Sequence, residues 1–158
     1  MTPAHHQRGG AAVAVLTHMD VWEAGLILNL RHWCTGPTGQ GQVRADYDRA
    51  LPVAEADRAW HAFDRLVRTL VATATRPMVR HDLSCTCAGS DECVFAHLVR
   101  IASDGHLNDA ALIATLLTGP AHAEHIAVLA GEVGTCLRRI HAQPTEPAIP
   151  ARDVVRMH

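Results

Sequence analysis

The stretch from Ala54 to Thr75, AEADRAWHAFDRLVRTLVATAT, carries the clearest helical pattern in the chain. Its apolar side chains recur every three or four residues and form one stripe: Ala59, Phe63, Leu66, Val67, Leu70 and Ala74. A second stripe is polar and consists of Arg58, His61, Arg65 and Arg68. This spacing is typical of a helix with one buried face and one solvated face. We therefore expect one long amphipathic helix, ended by Pro77.

Proline and glycine residues divide the rest of the chain into five further helical pieces. Their expected spans are residues 20–34, 40–51, 90–104, 108–118 and 121–141. Asp20, with Glu23 as the partner in a capping box, is expected to cap the first helix, and Ser90 to cap the fourth. Short connections favour antiparallel neighbours. The sequence therefore predicts an all-α fold, a compact helical bundle of about four main helices plus two shorter ones, with a cysteine-rich loop.

The length of 158 residues suits one ordinary domain, which we place at residues 17–142. No segment alternates between apolar and polar side chains as a strand does. Residues 1–16 show no helical period and are expected to be a flexible N-terminal segment, so that deletion of residues 1–14 leaves the melting temperature nearly unchanged. Residues 143–158 contain three prolines and are expected to form a Pro-rich extended C-terminal tail.

Composition limits the classes of function. The formal net charge is −2 and the chain contains no lysine, so a broad phosphate-binding surface, and with it nucleic acid, is unlikely to be its target. The preference for arginine is typical of a GC-rich bacterial genome. The apolar run from Ala11 to Leu16 is too short for a signal-peptide core or a membrane span. We therefore expect a cytoplasmic protein whose cysteines remain thiols, available to metals or to redox chemistry.

The strongest chemical pattern is a cluster of histidines and cysteines at residues 81–97. Five potential metal ligands follow one another there at short intervals: His81, Cys85, Cys87, Cys93 and His97. Zn²⁺ in structural sites takes four tetrahedral sulfur or nitrogen ligands, which a loop followed by the first turns of a helix can supply. The sequence therefore predicts a zinc site in a metal-binding loop at residues 78–93, with Cys85, Cys87 and Cys93 as thiolate ligands.

The fourth ligand of such a site is left open by the sequence. His97 lies one helical turn after Cys93, and His81 competes with it from the other side of the loop. Cys34, at the end of the first helix, is a third candidate. Cys136 falls on the inner face of the last helix and is expected to be a core thiol.

The sequence leaves alternatives open for the loop cysteines and for other polar clusters. The loop cysteines are alternatively a redox pair, formed by Cys85 with Cys87 or with Cys93, or thiols without a chemical role. Residues Arg58 to Arg80 form a basic strip that suits a solvated helix face, or an acidic partner or DNA in a regulator. The pair His122 and His125 lacks the spacing of known histidine metal motifs, and His5-His6 binds metals only adventitiously.

The sequence shows no phosphate-binding loop, nucleophile elbow or kinase signature, so an enzyme is the less favoured reading. We expect a small bacterial zinc-binding helical protein with a structural or regulatory role. Zinc would pin the loop to the bundle, while the surface engages a protein partner or a second copy of the chain. The main alternative is a redox sensor or enzyme that uses the loop cysteines.

Overall fold

A computed structural model describes residues 9–142, which contain six α-helices and one small sheet. The elements are β1 (Ala12–Val15), a 3₁₀ turn (Leu16–His18), α1 (Val21–Cys34), α2 (Pro37–Ala50), α3 (Val53–Thr73), β2 (Cys87–Gly89), α4 (Ser90–Ser103), α5 (Leu107–Ala114) and α6 (Pro120–Ala142). The predicted all-α bundle is confirmed.

The centre of the bundle is α6, which packs against α3, α4 and α5. Helix α3 runs antiparallel to it, because Ala74 at the end of α3 forms a bridge with Thr118 just before α6 begins. Helices α1 and α2 cover the remaining side of α3 and α4. The largest fully buried apolar side chains come from four of these helices: Leu26, Ile27, Phe63, Leu66, Leu70, Phe95, Leu98, Ile126 and Leu129. This core fixes the positions of α1 and α4, which carry the side chains that hold the cysteine loop.

Helix α2 is longer than the sequence pattern predicted, because it begins at Pro37 rather than near residue 40. Proline has no backbone N–H to leave unpaired at the first helical position, and its fixed φ suits a helix start. Gly36 precedes it with a φ of +107°, a conformation that disfavours any side chain. The turn between α1 and α2 therefore takes only two residues.

The N-terminal segment differs from the sequence expectation, because residues 9–16 are bound to the cysteine loop. Strand β1 pairs antiparallel with β2, and Val15 lies opposite Cys87 in this register. The backbone N–H of Leu16 also donates to the carbonyl of Thr86, at 2.9 Å. The side chains of β1 are mostly exposed, so the strand has no buried face and leaves no alternating pattern in the sequence. The strand is held by backbone hydrogen bonds, and these leave no periodic pattern in the sequence from which the strand could be predicted.

Two predicted helix caps also differ from the structure. Asp20 and Glu23 make no capping box, since both carboxylates pair with Arg100 of α4. Ser90 is the first helical residue of α4 rather than its cap, and Gly89 stands in the capping position. The carboxylate of Glu92 accepts the Gly89 N–H at 2.9 Å and so satisfies one free donor of the helix start. This places Glu92 directly beneath the cysteine loop.

The predicted C-terminal tail, residues 143–158, lies outside the described residues, and so does His5-His6. In the part of the chain that the structure describes, none of the helices has both the length and the apolar character required to cross a bilayer.

Candidate metal centre

A buried arginine on α1 holds the cysteine loop in place. The side chain of Arg31 is 0 % exposed, and each of its five N–H groups donates a hydrogen bond within the protein. It donates to the backbone carbonyls of Cys85 and Cys87, both at 2.7 Å, and to that of Asp82 at 3.1 Å. The guanidinium thereby fixes the backbone at both cysteines, independently of what the sulfur atoms do.

The counter-charge of Arg31 is Glu92, in the first turn of α4 and equally inaccessible to solvent. Arg31 Nε donates to Glu92 Oε1 at 2.7 Å and Nη2 to Oε2 at 2.9 Å, a bidentate pair. Glu92 also accepts the backbone N–H of His81 at 3.1 Å. Burial opposes ionisation of Glu92, but these donors outweigh it and hold the pKa of the carboxyl below its usual range. The pair thus stays charged and ties α1, α4 and the loop together.

A second ion pair anchors the entry to the loop. Arg76 donates to both carboxylate oxygens of Asp91 at 2.8 Å, and the Val79 N–H donates to the same carboxylate at 2.8 Å. The Asp91 side chain is only 4 % exposed. Burial alone would raise its pKa, but the hydrogen bonds from Arg76 and Val79 prevail and lower it. The segment that follows α3 is therefore held against the start of α4.

The lowered pKa of Asp91 predicts a loss of stability in acid. A carboxyl with a folded-state pKa below its unfolded value stabilises the fold above about pH 4, and this contribution is lost as the pH falls through the lower pKa. Asp91→Asn is expected to reduce the free energy of unfolding at neutral pH by about 1–3 kcal/mol and to flatten its decline in acid. Urea unfolding at a series of pH values, with chelator present, measures both effects.

The matched control for this experiment is Asp46→Asn, which removes an exposed partner of Arg49. It is expected to change the free energy of unfolding by less than about 1 kcal/mol. Equal acid sensitivity of the Asp91→Asn variant and the unaltered protein would contradict the assigned role of Asp91.

The loop brings three metal-ligating groups together: the ring of His81 and the thiols of Cys85 and Cys87. His81 Nδ1 lies 3.5 Å from the sulfur of Cys85 and 3.6 Å from that of Cys87. The two sulfur atoms are 3.0 Å apart. All three side chains are half-buried, and Cys85 lines an open groove of about 590 Å³ next to Leu16, Met19 and Leu28. The sulfur atoms are therefore close enough to share one ion and remain reachable from solution.

The N-terminal segment determines which nitrogen of His81 faces the sulfur atoms. His81 Nε2 lies 2.7 Å from the backbone carbonyl of Gly10. A carbonyl oxygen only accepts hydrogen bonds, so Nε2 must carry the proton in the neutral ring. Nδ1 is then the nitrogen with a free lone pair, and it points toward the two thiols. This is the arrangement of a metal-ligating histidine whose other ring N–H is held by a backbone carbonyl.

The electrostatics of the group favour a thiolate on Cys85. Hydrogen bonds from the thiol and backbone N–H of Cys87, and from Nδ1 when the His81 ring carries its second proton, lower the pKa of Cys85 to about 7. The same contact with the negative Cys85 sulfur raises the pKa of Cys87, and burial adds to this. The Gly10 carbonyl, with Cys85, raises the pKa of His81 against the effect of burial.

The other two predicted ligands, Cys93 and His97, are not part of this group. Strand β2 and the start of α4 separate Cys93 from Cys87, and Cys93 packs against the hydrophobic core. Burial raises the pKa of its thiol, as do the nearby carboxylates of Glu92 and Glu23. His97 is exposed on the surface of α4. The structure thus joins the loop residues to one another but not to the helix that follows.

Cys34 and Cys136 also lie apart from the group. Cys34 is half-buried, lines a small cavity with Leu30 and Met78, and accepts a hydrogen bond from Arg80 through its backbone carbonyl. Cys136 lies on α6 and packs against the core. Burial raises the pKa of both thiols. Within residues 9–142, the cluster therefore offers three protein ligands.

Sequence reasoning missed three contributors to this centre: Arg31, Glu92 as its partner, and the carbonyl of Gly10. The signal available for Arg31 was a charged residue between Leu30 and Trp33 in a largely apolar helix, because a buried charge requires a partner. In the sequence, Glu92 stands out only as an acidic residue in the first turn of a predicted helix. A backbone carbonyl leaves no mark on the sequence, so the role of Gly10 required the fold.

The contact between Gly10 and His81 reverses the expectation for the N-terminus. Deletion of residues 1–14 removes the carbonyls that accept from His81 and from the Ser90 and Asp91 N–H groups. We now expect the deletion to lower the melting temperature by at least about 4 °C, because each lost hydrogen bond contributes on the order of 1 kcal/mol. Circular dichroism melting with chelator present measures this. An unchanged melting temperature would show that β1 adds nothing to the fold.

The basic strip from Arg58 to Arg80 is not continuous in the structure. Arg68 pairs with Asp64 at 2.8 Å and lies over the ring of Trp33. Arg76 is held by Asp91, as described above. Arg58 and Arg65 face a different surface, the groove between α3 and α6. Arg68 and Arg76 are therefore held in ion pairs, Arg58 and Arg65 line a separate groove, and Arg80 has no carboxylate partner among the described residues.

No protein-family model matches the chain, and comparisons with curated proteins and with solved structures gave no significant match.

Proposed function

We propose that this protein binds a thiophilic divalent cation, with Zn²⁺ as the best fit, through His81 Nδ1 and the sulfur atoms of Cys85 and Cys87. The observation that carries the proposal is the orientation of His81. Its Nε2 proton is engaged by the Gly10 carbonyl, and its Nδ1 lone pair faces both thiols. Thiolate and imidazole are the ligands that Zn²⁺ prefers among protein side chains.

The distances support this assignment. Tetrahedral zinc with ordinary bond lengths separates a sulfur ligand from a nitrogen ligand by about 3.5 Å, and two sulfur ligands by about 3.8 Å. The observed distances from Nδ1 to the sulfur atoms, 3.5 and 3.6 Å, match the first value. The sulfur atoms, 3.0 Å apart, need to separate by about 0.8 Å. Small rotations of the two cysteine side chains are enough for this, because Arg31 already fixes their backbone.

The centre suits reversible binding better than structural binding. Structural zinc sites are closed by four protein ligands, whereas sites that keep a position open use three. Here the described residues supply three ligands, and Cys85 borders a groove open to solvent. The ion pairs of Arg31 and Asp91 hold the loop without a metal. We therefore favour reversible uptake and release of the metal, in a regulatory or carrier role, over the structural role in which zinc holds the loop against the bundle.

Titration with Co²⁺ tests the proposal. Cobalt takes zinc's place in tetrahedral thiolate sites, and its absorption bands report sulfur ligands and coordination geometry. We expect one Co²⁺ per chain, sulfur-to-metal charge-transfer bands, and displacement of the cobalt by stoichiometric Zn²⁺. Elemental analysis of protein purified without a His-tag should find zinc. Octahedral cobalt without charge-transfer bands would overturn the assignment.

Adventitious binding at the N-terminal histidine pair is removed by His5→Ala combined with His6→Ala. The double variant is expected to keep the charge-transfer bands, because imidazoles alone cannot produce them. If the bands vanish in this variant, the ion is held by the N-terminal histidines rather than by His81 and the two cysteines.

A second candidate function is redox sensing, favoured by the distance of 3.0 Å between the sulfur atoms. Hydrogen peroxide would oxidise the Cys85 thiolate to a sulfenic acid, releasing hydroxide. The Cys87 thiolate would then displace a second hydroxide to form the disulfide. Intact mass after peroxide treatment distinguishes the two functions. Rapid loss of two hydrogens from zinc-loaded protein favours the sensor, and protection by bound zinc favours the metal centre.

A further inference from the structure

Most of the arginines that lack a carboxylate partner in the described residues lie in one groove. Within residues 9–142 there are eleven arginines, and seven of them form ion pairs with carboxylates. Among these described residues, the arginines without a carboxylate partner are Arg58, Arg65, Arg80 and Arg139. Three of these four line the groove between α3 and α6. Guanidinium groups are planar donors whose geometry matches phosphate and carboxylate groups.

The helical repeat explains why these arginines share one surface. Arg58 and Arg65 are seven residues apart on α3, so they lie on the same face about 10 Å from each other. Arg139 projects from α6, and it lies with Arg58 at one end of the groove, where both border a small adjoining cavity next to Cys136. The groove has a volume of about 540 Å³, within the range of small-molecule sites. One end therefore carries two guanidinium groups, and the other carries Arg65.

The carboxylates near the groove limit what it can hold. Glu55 borders the small cavity at the Arg58 end. Glu132 precedes Arg139 by seven residues, or about two helical turns, and lies toward the Arg65 end of the groove. Asp57 and Asp64 are close in sequence but are engaged by Arg44 and Arg68. Three guanidinium groups thus face two carboxylates. This balance suits a ligand with a single dianionic group and disfavours a long polyanion, which would meet both glutamates.

We propose that the groove between α3 and α6 binds a small phosphate monoester. The phosphate lies between Arg58 and Arg139, and the body of the ligand extends toward Arg65. Ala62 and Gly131 line the groove between the two ends and leave room for the body of the ligand. The Thr135 hydroxyl donates to the Gly131 carbonyl at 2.9 Å, so its oxygen is available only as an acceptor along α6. The groove shares no residue with the candidate metal centre, so the two proposals do not depend on each other.

Calorimetric titration with phenyl phosphate tests the proposal. Binding is expected in the millimolar range or tighter, while phenol shows none. Arg58→Gln and Arg139→Gln should each raise the dissociation constant by at least about tenfold, because each removes a charge-assisted hydrogen bond. Arg65→Gln should have a smaller effect. Arg49→Gln, in an exposed pair on α2, is the matched control and should leave the dissociation constant unchanged.

Three results would overturn the site. One is the absence of phenyl phosphate binding at low salt, and another is binding that survives both Arg58→Gln and Arg139→Gln. A third is duplex DNA binding more tightly than phenyl phosphate with a steep salt dependence, which would assign the groove to nucleic acid. Repeating the titration on the double variant Cys85→Ser with Cys87→Ser separates this inference from the metal proposal, since phenyl phosphate binding should persist there.

Discussion

Arg31→Met is expected to lower the free energy of unfolding by about 3–5 kcal/mol, because it leaves the buried carboxylate of Glu92 without its counter-charge. The same substitution frees the carbonyls of Cys85 and Cys87, which accept from no other side chain within residues 9–142. We expect the 78–89 segment to lose its protection against hydrogen exchange even where the helices remain folded. Urea unfolding in the presence of chelator measures the first effect, and hydrogen exchange by mass spectrometry measures the second.

Arg49→Met is the matched control for this prediction. It breaks an ion pair whose arginine is 67 % exposed, and it should cost less than about 1 kcal/mol. Glu92→Gln tests the pair from the other side, because the amide keeps the shape of the carboxylate but leaves the Arg31 charge uncompensated. If Arg31→Met proves as mild as Arg49→Met, the buried pair does not hold the loop.

Cys85→Ser and Cys87→Ser are each expected to weaken zinc binding by at least about 100-fold, because a hydroxyl is a poor ligand for a borderline-soft ion. His81→Ala should act in the same direction by removing the nitrogen ligand. Competition with a chromophoric chelator measures the dissociation constant of each variant. Far-UV circular dichroism confirms that the variants remain folded, which is expected because the core stripes of α3 and α6 do not involve the loop.

The contrast with the remaining candidates makes this prediction specific. Cys93→Ser, His97→Ala and Cys136→Ser should keep zinc affinity within a few-fold of the unaltered protein, since the structure keeps these side chains away from the His81 group. A loss of zinc on Cys93→Ser, as large as that on Cys85→Ser, would instead restore the site that the sequence spacing suggested.

The features that could be predicted from the sequence depend on residues that lie close together in the chain. The apolar stripe of α3, the punctuation by Pro77 and Gly105, and the start of α4 near Ser90 follow from helix periodicity and turn chemistry. The candidate ligands at His81, Cys85 and Cys87 were likewise visible, because they lie within seven residues of one another in the chain.

The parts that could not be predicted all depend on contacts between distant segments. Arg31 and Glu92 are separated by 61 positions, and Gly10 and His81 by 71. The sequence placed Cys93 and His97 in the site by spacing alone, but the short strand β2 extends the chain between Cys87 and α4. Pairing through the backbone, as in β1, is also nearly independent of side-chain identity.

At the proposed metal site, the contact between Gly10 and His81 would couple the docking of the N-terminal strand to the affinity for the ion. If β1 orients the ring that binds the ion, then bound metal must strengthen the docking of β1 by the same factor, because coupling free energies are reciprocal. The Leu16 N–H, which donates to the Thr86 carbonyl, should therefore exchange more slowly in zinc-loaded protein. If the proposed metal site is correct, a chain that replaces β1 at the edge of β2 would loosen the His81 ring and release the ion, so a partner protein could discharge the site by strand exchange without touching the metal.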